Sequence, residues 1–125
     1  MFSHNAGVTS ILPLTENSFL TGSYDSSLRL IDYRNLRNPV SAVDLDGGVW
    51  RILPRQQAGM TSFLTCCMQS GARTVSLANG TSVERHASFE PEEERRLIYG
   101  ASWQTESLAA ISSFYEKKLY FCQIP

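Results

Sequence analysis

Ser23, His4 and Asp25 are the residue types of a nucleophile, its base and an orienting acid, the set that opens esters and amides. No Gly-x-Ser-x-Gly elbow presents a serine for attack, however, and no catalytic residue is assigned from the sequence. His86 stands beside Glu84 in a polar stretch and reads as a solvated loop histidine. With two histidines and no His/Cys cluster at ligand spacing, neither a metal nor a cofactor is expected. Cys66 and Cys67 are sequence neighbours, which on a strand point to opposite faces, so they are not expected to act together on one ligand. They read as small apolar residues of a reducing compartment.

The elements that would position these residues follow from a phrase written three times. Gly7-Val8, Gly48-Val49 and Gly100-Ala101 each open a short apolar strand, at intervals of 41 and 52 residues. Each is followed by a second strand, a turn at Asp25, Gln69 or Glu116, and in the first and third copies a further strand. A strand-turn-strand unit repeating in the forties is the mark of propeller blades. The chain is therefore predicted to be all-β: one partial propeller domain over residues 1–125, with blades over 4–46, 47–83 and 97–125. In the first blade, strands are expected at 8–12, 18–22, 28–32 and 40–45; Pro54 to Gly59 reads as the first loop of the second. Residues 79–96, rich in charge, read as a polar loop, with Asn79-Gly80-Thr81 as a turn rather than a glycosylation site. Closure takes roughly 4–8 blades, so about three make an incomplete propeller with open edges.

Composition narrows the function. A net charge of −1 over 125 residues argues against a nucleic-acid partner, which needs a clustered basic surface. No run approaches the ~18 apolar residues of a membrane helix, so no membrane association is expected. Met1 to Asn5 lack the basic start and apolar core of a secretory signal, and the chain reads as cytoplasmic.

His4, Ser23, Asp25 and the 28–32 strand resemble a WD40 repeat, in which a histidine, a Ser/Thr and a turn aspartate form a buried hydrogen-bonded chain ending on a tryptophan. Ile31 stands in the tryptophan's place. On that resemblance His4, Ser23 and Asp25 are structural. A wider set occurs in order: His4-Asn5-Ala6-Gly7-Val8, Gly22-Ser23-Tyr24-Asp25, Asp32-Tyr33-Arg34-Asn35, Gly47-Gly48-Val49-Trp50-Arg51-Ile52, Cys67-Met68, Tyr99-Gly100-Ala101-Ser102-Trp103 and Ser113-Phe114-Tyr115. Together these resemble the C-terminal part of the diphthine methylesterase family, WD40 proteins of diphthamide biosynthesis. The resemblance implies hydrolysis of a methyl ester on diphthine, a modified histidine of translation elongation factor 2, which would be the partner protein. Gln69, Ser102 and Glu116 depart from the family, which has histidine, aspartate and aspartate there.

Diphthine carries a quaternary ammonium, and aromatic faces attract such cations. If first strands line the channel, Trp50, Arg51 and Trp103 lie at their rim ends, with the tryptophans expected to hold the ammonium and Arg51 to meet the ester or a partner carboxylate. The alternatives are a non-catalytic WD40 interaction scaffold or an inactive fragment. In either case other chain segments or proteins are expected to complete the propeller.

Overall fold

The computed structural model describes residues 3–55, 61–92 and 96–125, so most of the expected loop after Pro54 and the centre of the charged run lie outside the described residues. Three antiparallel meanders follow one another along the chain. The first joins β1 (Val8–Pro13), β2 (Ser18–Ser23), β3 (Ser27–Asp32) and β4 (Ser41–Asp44). The second joins β5 (Arg51–Pro54), β6 (Ser62–Cys66), β7 (Ala72–Ala78) and β8 (Ser82–Phe89). The third has β9 (Ile98–Trp103), β10 (Leu108–Ser113) and β11 (Lys118–Gln123). No helix is long and apolar enough to cross a membrane among the described residues.

The expectation of a polar loop over 79–96 is corrected: Ser82–Phe89 form β8, paired with β7 from Ala78↔Ser82 to Ala72↔Phe89. The second blade therefore ends near Phe89, not Val83. Its fourth strand is an outer one with a single neighbour, and only Val83 and Phe89 turn substantially inward. The usual apolar alternation is thus missing, which is why the segment resembles a loop. Asn79 and Gly80 both have positive φ, 53° and 68°, as a tight I′ hairpin turn requires. That dipeptide was the legible sign of the hairpin.

Each sheet buries its faces against its neighbours. Leu20, Leu28 and Leu30 of the first pack against Val49, Ile52, Phe63, Val75 and Val83 of the second. Leu64, Cys66 and Ala72, on the opposite face of the second sheet, meet Ile98, Ala109, Ile111 and Ile124 around the third. Cys67 belongs to the first of these cores and Cys66 to the second, so the adjacent thiols face apart as strand alternation dictates. Burial pushes the Cys66 thiol up to about 12, which leaves it protonated and inert.

Leu28 and Leu30 lie three and five residues after the turn residue Asp25; Leu119 and Phe121 lie at the same offsets after Glu116. The first pair is covered by the second sheet, whereas the second pair is 60% and 64% exposed. Equal spacing from the turn residue thus gives opposite burial, because nothing among the described residues packs on the outer face of the third sheet. Leu28→Ala should cost roughly 2–5 kcal/mol, the usual price of a core cavity. Leu119→Ala should stay within about 0.5 kcal/mol. Urea midpoints of the two variants check the difference.

Candidate functional site: an aromatic rim over the three sheets

The same end of all three sheets carries the candidate site. Val49 N–H donates to the Ser23 carbonyl at 2.9 Å, at the end of β2. Ile98 and Met68 exchange backbone bonds at 2.9 and 3.2 Å, tying the start of β9 to the turn after β6. The leads into β5 and β9 are therefore pinned to the turn of the preceding sheet, and turns and strand starts share one rim.

Gly47 and Gly48 make this approach possible. A Cβ on Gly47 would overlap the Cys67 carbonyl oxygen. A Cβ on Gly48 would stand 2.8 Å from the Met68 sulfur and 3.2 Å from the Tyr24 ring. The close pass of this Gly-Gly segment delivers Trp50 between two tyrosines from neighbouring sheets. Its ring lies 5.9 Å from Tyr24 at 61° and 5.1 Å from Tyr99 at 48°. The run continues from Tyr99 to Phe114 at 6.0 Å and from Phe114 to Tyr115 at 5.2 Å. Tyr24, Phe114 and Tyr115 are exposed. Non-parallel rings at these spacings offer faces and edges in several directions, which suits a bulky organic cation or an apolar side chain.

Trp103 is not part of this rim, which corrects the pairing of Trp50 with Trp103. It ends β9, about four residues or roughly 13 Å along the strand from Tyr99. Its indole N–H donates to the Leu53 carbonyl at 3.3 Å, and the Arg55 guanidinium covers its ring at 4.8 Å. The entry glycines are not equivalent: Trp50 follows Gly48 by two residues and precedes β5, whereas Trp103 follows Gly100 by three, and Gly100 already lies inside β9. Tyr99 supplies the third-sheet aromatic instead. Arg51 opens β5 beside Trp50, exposed and opposite Cys66 in register.

His4 and Asp25 come together beneath Tyr24, in the first sheet. His4 Nδ1 lies 2.9 Å from Asp25 Oδ2, and the two side chains are 1% and 7% exposed. His4 Nε2 meets Thr21 Oγ1 at 2.8 Å, not Ser23. Ser23 Oγ instead donates to the Ala6 carbonyl and accepts from Asp25 N–H, so its membership of the histidine chain is corrected. Thr21 and Ser23 share a face of β2, and the histidine reaches the former because it spans the strand one pleat deeper. Ser27 completes the set: its hydroxyl donates to Asp25 Oδ1 at 2.6 Å, and Arg29 Nη2 lies 3.3 Å from Oδ2. Every lone-pair direction of the carboxylate is engaged, and the histidine is sealed from solvent, so this set braces the turn rather than attacks a substrate. His86, on the outer strand β8, pairs with Ser76 of β7 at 2.6 Å in an exposed position.

Burial alone would raise the Asp25 pKa. Hydrogen bonds from the Ser27 side chain and backbone, Asn5 N–H and His4 outweigh it and hold the carboxyl well below the usual carboxylate range. The unfolded carboxyl titrates near 3.9, so the unfolded chain binds the extra proton first and stability falls as pH drops below about 4. Asp25→Asn should therefore melt well below the wild type at pH 7, with the gap narrowing by pH 3. Melting curves at the two pH values read this directly. For the rim, Gly47→Ala should lower the urea midpoint more than Gly48→Ala, since the former meets backbone and the latter movable side chains.

Among the departures from the resembled family, Gln69 is exposed in the turn after β6, with its carbonyl accepting from Arg96 Nε at 2.7 Å. Glu116 accepts from Tyr120 OH at 3.3 Å. Ser102 sits next to Trp103 near the far end of β9 and is not on the rim. The described residues include no group of three or more His, Cys, Asp or Glu able to hold a metal.

A meander of paired sheets, each docked face to face on the next, defines a β-propeller of WD40 type. Solved structures agree: the C-terminal WD40 domain of Sif2 superposes with a TM-score of 0.82 over 100% of this chain and 36% of its own, at 15% identity. The β-propeller domain of Myceliophteria thermophila Cps50 (Swd1) gives 0.75 over 93% and 40%, at 17% identity. Likeness at such identity concerns the fold alone. No family model matches the sequence. By sequence the chain is a relative of proteins named diphthine methyltransferase. It is 31% identical to that of Saccharomyces cerevisiae over 93% of this chain and 36% of the relative. For the proteins of Schizosaccharomyces pombe and Homo sapiens, identity is 30% over 93% of this chain and 33% over 80%. The chain spans about a third of the yeast relatives' length and 23% of the human one.

Proposed function

We propose that the chain contributes the substrate-holding rim of a cytoplasmic protein of diphthamide biosynthesis, one that cleaves the methyl ester of methylated diphthine on translation elongation factor 2. The observation that carries this reading is the Tyr24–Trp50–Tyr99 cluster, which draws one aromatic from each sheet into a single patch. A trimethylammonium group has no hydrogen to donate, so it is recognised by aromatic faces rather than by acceptors. The names of the sequence relatives connect the chain to diphthine chemistry. In this reading Arg51, exposed and one residue beyond Trp50, pairs with the carboxylate left when water adds to the ester and methanol departs.

The relatives' name speaks of methyl transfer, and transfer and hydrolysis move the methyl group in opposite directions. A second reading, a scaffold with no chemistry of its own, draws on the exposed Phe114 and Tyr115, which extend the patch beyond the size of one ammonium group. One assay separates the three. A diphthine methyl ester peptide of the elongation factor is incubated with the longer protein that contains this chain, then weighed by mass spectrometry. Loss of the ester with methanol release is the expected result. Ester formation on the free acid from a methyl donor would establish transfer, and an unchanged peptide that nevertheless binds would establish the scaffold. In the hydrolytic case Trp50→Ala should raise KM by about 2- to 30-fold, the range of one cation–π contact, while Trp103→Ala leaves KM unchanged if the protein remains folded.

A further inference from the structure

We infer that Arg73 is a positioning residue for the rim: a buried guanidinium that fixes the turn after β6 and the lead into β5, and thereby the placement of Trp50. Its side chain is 3% exposed. Burying a cation is costly, and one N–H of this one, at Nε, has no partner among the described residues. An apolar chain of the same length would fill the space without that loss. What the guanidinium adds is a set of directed contacts. Nη1 donates to the carbonyls of Ser70 and Ala72 at 2.7 and 3.2 Å, and Nη2 donates to Glu90 Oε1 at 2.8 Å. Nη2 also lies 3.6 Å from Asp46 Oδ2. The cation thus joins the turn after β6, the lead into β5 and the residue that follows β8.

The lead needs such a hold because it cannot hold itself. Gly47 and Gly48 permit the close pass, but glycine has the widest choice of backbone conformations, so the path is fixed from its two ends. At the far end the N–H groups of Val49 and Trp50 donate to the Ser23 and Cys66 carbonyls. At the near end Asp46 stands at a φ of 65°, a left-handed conformation unfavourable to a residue with a Cβ. It is gripped at three points. Its N–H donates to Asp44 Oδ1 at 2.7 Å, its carbonyl accepts from Ser70 Oγ at 2.6 Å, and its carboxylate meets Arg85 Nη2 at 2.8 Å and, more distantly, Arg73. The hydrogen bond from Arg85 holds the Asp46 carboxyl below the usual carboxylate range, so the charge that Arg73 faces is present at neutral pH. Ser70, whose hydroxyl grips the lead, is itself held by Arg73 at its carbonyl. The same turn carries Met68, whose backbone bonds to Ile98 lie one residue before Tyr99. Both partners of the Trp50–Tyr99 contact thus hang from a turn that Arg73 fixes.

For substrate binding the inference rests on the proposed cation-holding role of the rim; for the placement of Trp50 it does not, and the test separates the two. In the full chain carrying Trp103→Phe, Trp50 is the sole tryptophan. Arg73→Met, which keeps the length and removes the cation, should raise acrylamide quenching of Trp50 fluorescence at least ~2-fold at a temperature well below melting. Asp46→Asn, which keeps a residue tolerant of positive φ and removes the charge, should raise it in the same direction. Val83→Ala, which opens a cavity in the neighbouring core, is the control for destabilisation alone and should leave it unchanged. Unchanged quenching in folded Arg73→Met would overturn the inference, as would unchanged quenching in Asp46→Asn where Arg73→Met does not fold. An equal rise in Val83→Ala would overturn it too. In the longer protein, Arg73→Met that disturbs Trp50 yet leaves KM for the diphthine methyl ester peptide at the wild-type value would remove the cation-holding reading and leave the positioning role standing.

Discussion

The structure depends on the fact that a sheet buried on one face still has another to bury. Each meander has apolar residues on both sides of its pleat, and neither side is covered from within. The second sheet shows the solution most clearly, with Phe63 and Val75 turned to one neighbour and Leu64 and Ala72 to the other. Stability is therefore a property of the contacts between successive sheets more than of any single one. The exposed Leu119 and Phe121 mark where that series stops in these residues.

The rim is a by-product of the same docking. For one sheet to lie face to face on the next, the lead into its first strand must pass close to the preceding turn, and only glycine at 47 and 48 lets it pass. That passage brings an aromatic from each sheet within about one ring width of the next. The binding surface is thus assembled where packing is tightest, and a ligand there would meet side chains whose positions are set by three sheets at once. Beneath it, the His4–Asp25 brace holds the turn that carries Tyr24. A pair that looks catalytic in sequence serves to fix an aromatic in place.

Much of this was legible. The threefold phrase, with its glycine lead-ins and turn positions, predicted blades, and the strand limits of the first blade agree with the structure to within a residue or two. Asp25 with His4 was legible because their types and order fit one hydrogen-bonding scheme. β8 was not, since an outer strand facing solvent has no reason to alternate, and its only sign was the Asn-Gly turn before it. Thr21 was hidden behind Ser23 because two hydroxyls on one strand face are equivalent until the depth of the histidine is known.

Local chemistry, carried by residue type and order, determined the strands, the turns and the separation of Cys66 from Cys67 onto opposite faces. Only tertiary structure decided which aromatics meet. Trp50 and Trp103 share a residue type and a glycine-led strand, yet one sits on the rim beside Tyr99 and the other at the opposite end under Arg55. The physical reason is that neighbours along a strand are fixed by the chain, whereas neighbours across sheets are fixed by the height at which one sheet docks on the next. That height is set by the Gly47–Gly48 passage and the backbone bonds from Val49 and Ile98, which join residues far apart in sequence.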